Sequence, residues 1–509
     1  IIYAIRYAAT DRDIKGIYLD TETLATGFAN TQELHQALQF FKDSGKFIVA
    51  YGRFFDQNSY HLASMADYIG VHPVGLVDLR GYGAQIPFFK DLLDKMGVKM
   101  EVFYAGKFKS ATEPFRRNDM SPENKMQVRA YLGEIYQQMV ADISNNRNMS
   151  KGELLQAINT FAGSEPNEAL KKGLIDQVGV EADAHDKIRS LTGLDTEEKI
   201  SFVSIKNYFN SRKTDTDYSI RDKVAVVYAE GNIVDGKGGN GSVGDEKYVD
   251  VLDRLSRDKN VKAVVLRVNS PGGSAMASEN IWRALIRLKE AEKPLVVSMG
   301  NYAASGGYYI ACPADSVFAE AGTLTGSIGV FNVFPNVSRL LNEKAGIHFD
   351  TVNTAAFSNA LTPFFDLSTK ENRIMQVRID SIYSLFLQRV AQGRNKSVDA
   401  VNEIAQGRVW TGAQATEIGL VDQLGSLSDA IAAAGRMAGL TDYRTVSYPK
   451  VLDPLQQFFQ DFLSESSGIS IMSLFSKEYG NWQKQARAME DILQSKGAQA
   501  RLPFVLTSN

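Results

Sequence analysis

The stretch GNYAASGGYYIA, residues 300–311, holds a serine whose surroundings suit nucleophilic attack on a carbonyl carbon. An apolar strand is expected to end at Gly300, and Ser305 stands at the predicted start of a short helix, directly before two glycines. A helix N-terminus offers free N–H groups and the positive end of the helix dipole, and both stabilise developing negative charge. Serine is also a common helix cap, so this motif alone leaves open whether Ser305 is a nucleophile or a cap.

A second turn, NSPGGS at 269–274, follows the predicted strand VKAVVLRV and precedes a predicted helix. In α/β sheets, the turns after the carboxyl ends of strands are the usual binding places for ligands. The amides of Gly272 and Gly273 could donate to a carbonyl oxygen and so form an oxyanion hole. A tight strand-to-helix turn without a catalytic role is the competing interpretation.

A serine hydroxyl needs a base within hydrogen-bond reach, usually a histidine and sometimes an uncharged lysine. The five histidines show no pattern of a site, and we interpret them as surface or satisfied core residues: His35, His61, His72, His185 and His348. In FYAGKFKSATEPF (103–115), Lys107 and Lys109 lie in a predominantly uncharged segment, and in an extended chain both would point to one face. Burial would lower the pKa of such a lysine to roughly 7–8, where it can act as a base near neutrality.

The chain repeats itself, and the repeat relates the serine to the lysine. Several ordered segments recur, namely DRDIKGIYLD (11–20) as DKNVKAVVLR (258–267), FKDSGKFIVAYG (41–52) as LKEAEKPLVVSMG (288–300), SATEPF (110–115) as NALTPF (359–364), and ALKKGLIDQVG (169–179) as ATEIGLVDQLG (415–425). In this register Ser305 falls opposite Gln57, and Lys109 falls opposite Ser358. The first half keeps the lysine and the second keeps the serine, which favours one site assembled from both halves.

Each half alternates short β-branched strands with amphipathic helices, a pattern typical of an α/β fold with βα crossovers. We predict an N-terminal half at 1–206, a linker at 207–219, where NYFNSRKTDTDYS has no apolar periodicity, and a C-terminal half at 220–449. Residues 450–509 have no repeat partner, and the amphipathic stretches LDPLQQFFQDFLSES and GNWQKQARAMEDILQSK predict a helical C-terminal extension.

Composition narrows the classes of function. The chain has 509 residues, is 44% hydrophobic and carries a net charge of −3, so it can bury large cores and lacks the basic surface typical of nucleic-acid binding. The single cysteine, Cys312, excludes an intramolecular disulfide, and the spacing of the histidines predicts neither a metal nor a cofactor. No run is apolar enough to predict a membrane span. Because the chain begins Ile1-Ile2-Tyr3, without methionine, we expect that it was trimmed upstream.

At these motifs the chain resembles the signal peptide peptidase A family, also called protease IV, in its long bacterial form. The resemblance extends from Asp11 to about residue 440, through NSPGGS, AASGGYY, FKSATEPF, LTGSIGVF (324–331) and VWTGAQATEIGLVDQLG (409–425). It implies two tandem crotonase-like (ClpP-like) repeats. It also implies that Ser305 is the nucleophile, that Lys109 rather than Lys107 is the base, and that Ser327 orients the lysine.

By the same resemblance, the protein would be a bacterial inner-membrane peptidase with its catalytic domain on the extracytoplasmic, periplasmic side. It would degrade signal peptides after their release, assemble as a homotetramer, and need neither metal nor cofactor. The resemblance also implies membrane association through an N-terminal anchor, which we expect to lie upstream of Ile1.

Two other functions remain open. Crotonase-like folds also use paired glycine amides to polarise a thioester, so an acyl-CoA hydratase or isomerase is one alternative. Its chemistry usually relies on carboxylates and has no evident need for the serine and lysine. A non-catalytic assembly scaffold is the other, because each half has already lost one of the two reactive positions.

Overall fold

The computed structural model describes residues 1–212, 217–449 and 498–501, and the fold is mixed α/β. Up to residue 212 the strands are β1 (Gly16–Leu19), β2 (Phe47–Phe55), β3 (Tyr68–Val77), β4 (Lys99–Ala105) and β5 (Gln177–Val178). The helices in this range are α1 (Ile2–Thr10), α2 (Phe28–Asp43), α3 (Gln57–Ala63), α4 (Lys90–Met96), α5 (Glu113–Arg116), α6 (Pro122–Asn146), α7 (Lys151–Asn159), α8 (Pro166–Lys171), α9 (Glu181–Thr192) and α10 (Ile205–Arg212). Short 3-10 helices occupy Ser110–Thr112 and Ala162–Ser164.

The same alternation continues after residue 217. The helices there are α11 (Asp245–Arg257), α12 (Ala275–Glu290), α13 (Gly306–Ala311), α14 (Thr369–Gly393), α15 (Val398–Ile404), α16 (Gly412–Glu417) and α17 (Leu427–Met437), with a π-helix at Leu340–Ala345. The strands are β6 (Lys223–Glu230), β7 (Asn232–Val234), β8 (Ser242–Gly244), β9 (Val261–Ser270), β10 (Gly272–Ser274), β11 (Leu295–Ala304), β12 (Ser316–Ala319), β13 (Leu324–Gly326), β14 (Val330–Asn336), β15 (Val409–Thr411), β16 (Gln423–Leu424), β17 (Arg444–Tyr448) and β18 (Gln499–Arg501).

Two compact units divide the chain, and each contains more than one stretch of sequence. The first unit contains Ile1–Ala84 and Arg129–Ser219. The second contains Gln85–Val128 together with the described residues from Ile220 onward. The segment that carries Lys109 therefore belongs to the same compact unit as the later half of the chain, and helix α6 contains the boundary.

The first unit is built on a parallel four-stranded sheet with the order β1-β2-β3-β5. Strand β2 is buried along most of its length because FIVAYG is apolar on both faces, as expected for a strand inside a parallel sheet. Helix α9 covers one face, where Ala184 and Ile188 pack with Val49, Tyr51 and Tyr68.

The second unit contains an eight-stranded sheet and a six-stranded sheet. Strands β6, β9 and β11 are parallel neighbours at the centre of the larger sheet, and their Val-rich sequences form the middle of the main core. The smaller sheet has the order β4-β14-β18-β10-β7-β8. Its β4 pairs antiparallel with β14 from Lys99↔Asn336 to Ala105↔Val330, which attaches the Lys109 segment to this unit.

The internal duplication predicted from the sequence is visible in matching elements. Helices α2 and α12 each have 16 residues, and α6 and α14 each have 25. Just after α6 and α14, Arg147 pairs with Asp176 and Arg394 pairs with Asp422. These equivalent ion pairs show that the two halves share a fold as well as a sequence pattern.

Two regions differ from the sequence-based expectation or lie beyond it. Part of the stretch 207–219, predicted as a linker, belongs to helix α10, because the buried Tyr208 anchors it through a hydrogen bond to Asp11. The helical extension predicted for 450–509 lies outside the described residues except for 498–501, where β18 is a strand. None of the helices in the described ranges combines the length and apolar composition required to cross a lipid bilayer.

Candidate active site

Ser305 lies where strand β11 ends and helix α13 begins, and its backbone is strained. Its φ of 57° and ψ of −116° are unusual for a residue with a side chain. The backbone N–H of Ser305 donates to Gly326 O at 2.7 Å, which holds this conformation against β13. Ser305 is fully buried, and its hydroxyl makes no capping hydrogen bond to the helix. The hydroxyl is therefore free for another role, contrary to the interpretation as an ordinary cap.

Lys109 reaches this hydroxyl directly. Its Nζ lies within hydrogen-bond distance of Ser305 Oγ, at 2.8 Å, and of Ser327 Oγ and Ser327 O, at 3.0 Å each. All three groups belong to the second compact unit. The structure thus brings together the two side chains that the repeat assigned to different halves, and it adds Ser327.

The aliphatic part of Lys109 is enclosed by glycines and an aromatic ring. A Cβ added to Gly407 would lie 2.7 Å from Lys109 Cβ, and one added to Gly329 would lie 3.1 Å from Lys109 Cδ. The Nζ lies 6.0 Å from the centre of the Phe331 ring. Lys109 is only 1% exposed, so its side chain is held in one position. No larger residue could replace the neighbouring glycines without displacing the lysine.

Burial also sets the protonation of Lys109. Removal from water lowers its pKa well below the ordinary value of 10.5, because the charged ammonium is poorly solvated there. No carboxylate within the described residues contributes an opposing shift. The neutral amine is thus favoured, and this is the form that can accept a proton from a serine hydroxyl.

Lys107 has a different environment, so the expectation that both lysines share a face is wrong. Lys107 is exposed, and its Nζ lies over the Phe108 ring at 5.4 Å. The strand β4 ends at Ala105, and Gly106 turns the chain with a φ of 105°. Because the segment after Gly106 is not extended, alternate residues no longer point the same way.

Ser327 has a positive φ of 50° and is fully buried. Its N–H donates to Arg408 O at 2.7 Å, which fixes the turn after β13. With its backbone fixed in this way, both the hydroxyl and the carbonyl oxygen of Ser327 face Lys109 Nζ.

The glycines of NSPGGS form β10, which packs against helix α13. The N–H of Gly272 donates to Ser270 Oγ at 3.2 Å, a long hydrogen bond. A Cβ on Gly273 would lie 1.9 Å from Ile233 O, and one on Gly307 would lie 2.6 Å from Ser270 O. These glycines therefore allow a close approach of backbones beside Ser305.

Gln127 is a buried residue near the lysine that the sequence reasoning missed. Its Nε2 donates to Phe108 O at 3.2 Å and to Ser110 Oγ at 3.1 Å, and its Oε1 accepts from Val409 N at 3.1 Å. It thereby joins both neighbours of Lys109 to β15. The sequence could have identified Gln127 as a polar residue on the inner face of an amphipathic helix, where a buried amide needs hydrogen-bond partners.

The positions that the internal repeat aligns with Ser305 and Lys109 make other contacts. Gln57, opposite Ser305, is buried, and its Oε1 accepts from Gly81 N at 2.7 Å and Arg80 N at 3.2 Å. Ser358, opposite Lys109, is exposed, and its Oγ accepts from Ala355 N. Neither position has a serine–lysine contact, so the described residues contain this pair once.

Comparison with known proteins shows which family the chain belongs to. The model of peptidase family S49 matches residues 40–195 and 287–441, one region in each half. Protease 4 of Haemophilus influenzae is 37% identical over 440 residues, covering 85% of this chain and 71% of that protein. Protease 4 of Salmonella typhi is 38% identical over 465 residues, covering 89% and 74%. The chloroplastic serine protease SPPA of Arabidopsis thaliana is 30% identical over 506 residues, covering 98% and 73%. The chain belongs to peptidase family S49.

Proposed function

We propose that the protein is a serine endopeptidase that uses a Ser305–Lys109 dyad. The observation that carries this proposal is the 2.8 Å contact between Lys109 Nζ and Ser305 Oγ, made by a lysine whose pKa burial lowers well below its ordinary value. A neutral lysine in direct contact with a serine is the arrangement required to generate an alkoxide-like nucleophile without histidine.

The catalytic cycle follows from these contacts. Lys109 accepts the Ser305 proton while Ser305 Oγ attacks the scissile carbonyl carbon, and the resulting ammonium then donates that proton to the leaving amine. In the second stage Lys109 accepts a proton from water as the water oxygen attacks the acyl carbon, and the ammonium then returns that proton to Ser305 Oγ as the acyl–Oγ bond breaks. Ser327 holds Lys109 Nζ through its hydroxyl and carbonyl during both stages.

The developing oxyanion needs donors, and Gly272 and Gly273 are our candidates. The Gly272 amide donates a long hydrogen bond of 3.2 Å to Ser270 Oγ, which an incoming negatively charged oxygen would replace. A small residue is required at Gly273 because Ile233 O leaves no room for a side chain.

The expected substrate is an extended peptide. The chain's own strand β18 pairs antiparallel with β10, with Gly272↔Arg501, Gly273↔Ala500 and Ser274↔Gln499, and a substrate backbone would lie along β10 in the place of β18. Recognition through main-chain hydrogen bonds suits a peptidase of broad sequence tolerance. We propose released signal peptides and other apolar peptides as substrates, on the basis of the family resemblance.

Several finer features belong to the same proposal. They are crotonase-like repeats in both halves, homotetrameric assembly, and attachment to the bacterial inner membrane with the catalytic domain on the periplasmic side. A hydratase or isomerase is less well supported, because Ser305 and Lys109 are hydrogen-bonded to one another and to Ser327 rather than to a carboxylate in the described part of the chain.

Cleavage of an apolar signal peptide by wild type and three variants tests the proposal. We expect Ser305→Ala and Lys109→Ala to fold but to lose activity by roughly 10³-fold or more, while Lys107→Ala stays active. Normal cleavage by Lys109→Ala would show that another group is the base. Labelling of Ser305 by a fluorophosphonate separates an enzyme from a scaffold, and a CoA titration detects the hydratase alternative.

A further inference from the structure

A second cluster of polar side chains lies in the first compact unit. His35 on α2, His61 on α3 and Asp142 on α6 each offer one ligand atom, and these atoms lie within 4.8 Å of one another. His61 Nε2 is 3.0 Å from Asp142 Oδ2, and the two imidazole ring centres are 5.3 Å apart. The sequence pattern does not indicate this cluster, because the fold joins residues that lie far apart in the chain.

His61 has an unused polar atom at this cluster. Its side chain is 1% exposed, and its Nδ1 has no hydrogen-bond partner within the described residues. Buried polar atoms are nearly always paired, since leaving one unpaired costs about 1–3 kcal/mol. Because His61 Nε2 already contacts Asp142 Oδ2, Nδ1 is the ring nitrogen of His61 that remains available to a ligand.

The ligand groups and exposure of the cluster suit a metal ion. Two imidazoles and one carboxylate are side chains that transition metals accept as ligands. The Asp142 side chain is 17% exposed, which leaves an entry for an ion.

Further residues hold the three side chains in place. Gln138 Nε2 donates to Asp142 Oδ1 at 2.9 Å, and Asn146 Nδ2 lies 2.9 Å from His35 Nε2. The same Asn146 amide donates to Ser64 Oγ at 2.9 Å. Outer contacts of this type orient the ligands of metal sites.

The internal repeat provides a comparison within the molecule. Trp282 occupies in α12 the place of His35 in α2, Tyr309 follows Tyr308 as His61 follows Tyr60, and Arg389 occupies in α14 the place of Asp142 in α6. In the second half these residues form a different set. The Arg389 guanidinium lies 3.9 Å from the Trp282 ring centre, and Tyr309 and Arg389 both bind Glu279.

The two sets differ in charge. In the second half the Arg389 guanidinium is paired with the Glu279 carboxylate, whereas the position equivalent to Arg389 in the first half is the Asp142 carboxylate, beside two imidazoles. A cation bound in the first half would supply for Asp142 the partner charge that Arg389 supplies for Glu279. All three equivalent positions differ between the two halves, and a single substitution cannot account for three differences.

We propose that His35, His61 and Asp142 bind a divalent transition-metal ion, with Zn²⁺ the best match to two nitrogens and one carboxylate oxygen. Tetrahedral Zn²⁺ requires ligand atoms roughly 3.3 Å apart, so the side chains would close in by small rotations. The ion would join helices α2, α3 and α6 of the first unit. It is a structural site and is independent of the peptidase proposal.

Metal content of the whole chain tests this site. The chain is treated with a chelator, dialysed against micromolar Zn²⁺, and measured for bound metal by mass spectrometry; Co²⁺ in place of Zn²⁺ reports coordination through its visible absorption. We expect about one ion per chain in wild type, with a tetrahedral Co²⁺ spectrum. Absence of both signals from wild type would overturn the proposal.

Isosteric variants locate the ion. Asp142→Asn, His35→Gln and His61→Gln should each bind at least tenfold more weakly, whereas His72→Gln, on strand β3, is the control and should bind as wild type does. Unchanged binding by all three variants would also overturn the proposal. Circular dichroism verifies that each variant is folded, and fluorophosphonate labelling of Ser305 verifies that the other unit is intact. If none of the variants folds, the Co²⁺ spectrum of wild type alone decides whether the site binds metal.

Discussion

Lys109 Nζ and Ser305 Oγ lie 2.8 Å apart although 196 positions separate them in the chain. The contact depends on the antiparallel pairing of β4 with β14 and on the strained backbone of Ser305.

The rate of peptide cleavage should rise with pH. Only the neutral form of Lys109 can accept the serine proton, and burial lowers its pKa well below 10.5, so the neutral fraction grows as the pH rises through that lowered value. We expect kcat/KM to rise and then level off well before pH 10.5. A profile that is flat from acid to alkaline pH would count against Lys109 as the base.

Lys109→Met should be more stable than wild type at pH 7. Between the lowered pKa of folded Lys109 and its ordinary value, the unfolded chain binds a proton that the folded chain lacks, so wild-type stability rises with pH in that window. Removing the lysine abolishes this cost, and we expect a gain of about 0.5–2 kcal/mol in urea unfolding.

The gain should shrink as the pH approaches 10.5, where the unfolded chain also loses its proton. The exposed Lys107→Met is the control, and its effect should stay within about 0.5 kcal/mol at both pH values. A loss of stability in Lys109→Met at pH 7 would show that its hydrogen bonds outweigh its desolvation.

Ser327→Ala should slow catalysis without weakening substrate binding. The substitution removes one of the two Ser327 atoms that hold Lys109 Nζ and leaves the carbonyl oxygen in place. We expect kcat to fall roughly 10–100-fold with little change in KM, because orientation of the base is impaired. Ser381→Ala, on the exposed face of α14, is the matched control; equal kinetics for both variants would exclude a positioning role for Ser327.

Gln127→Met should lower both stability and activity. It leaves Val409 N–H and Phe108 O without their buried partner, which costs about 1–3 kcal/mol. The exposed Gln388→Met on α14 makes the same chemical change without such a loss. Urea unfolding and peptide cleavage measure the two effects, and wild-type values for Gln127→Met would show that the segment is held by other contacts.

Gly407→Ala should abolish activity through contact with the lysine. Gly407 has a φ of 76°, and an added Cβ would meet Lys109 Cβ at 2.7 Å. Gly439→Ala is the matched control, since its φ of 67° imposes similar strain while nothing lies within 4 Å of the added atom. Strain alone costs about 1 kcal/mol, so the control should remain active. Equal activity of the two variants would contradict displacement of Lys109.

Much of this arrangement could be predicted from the sequence. The repeat register placed strands and helices correctly, and the complementary loss of serine and lysine related Ser305 to Lys109. The positive φ angles of Ser305 and Ser327 had no signal in residue type, because the surrounding structure imposes them. The different burial of Lys107 and Lys109 depends on the turn at Gly106, which periodicity does not report.

Contacts between distant segments were beyond the sequence patterns. The pairing of β4 with β14 groups Gln85–Val128 with the later half, although the chain order places it in the first. The same limitation hid the proximity of His35, His61 and Asp142, since their spacing matches no ligand motif. Local patterns identify elements, whereas tertiary packing decides which of their side chains meet.

The grouping of Gln85–Val128 with the later half of the chain also determines when the site can form during translation. At roughly 5–20 residues per second, Ser305 is added some 10–40 seconds after Lys109, and Ser327 follows it. Until then, Lys109 cannot contact the hydroxyl of Ser305 or that of Ser327. Strand β14 and the glycines that enclose the lysine side chain are also missing, so the lysine is not buried. A nascent chain would therefore be without proteolytic capacity until most of it has been translated, which protects it and its neighbours during synthesis.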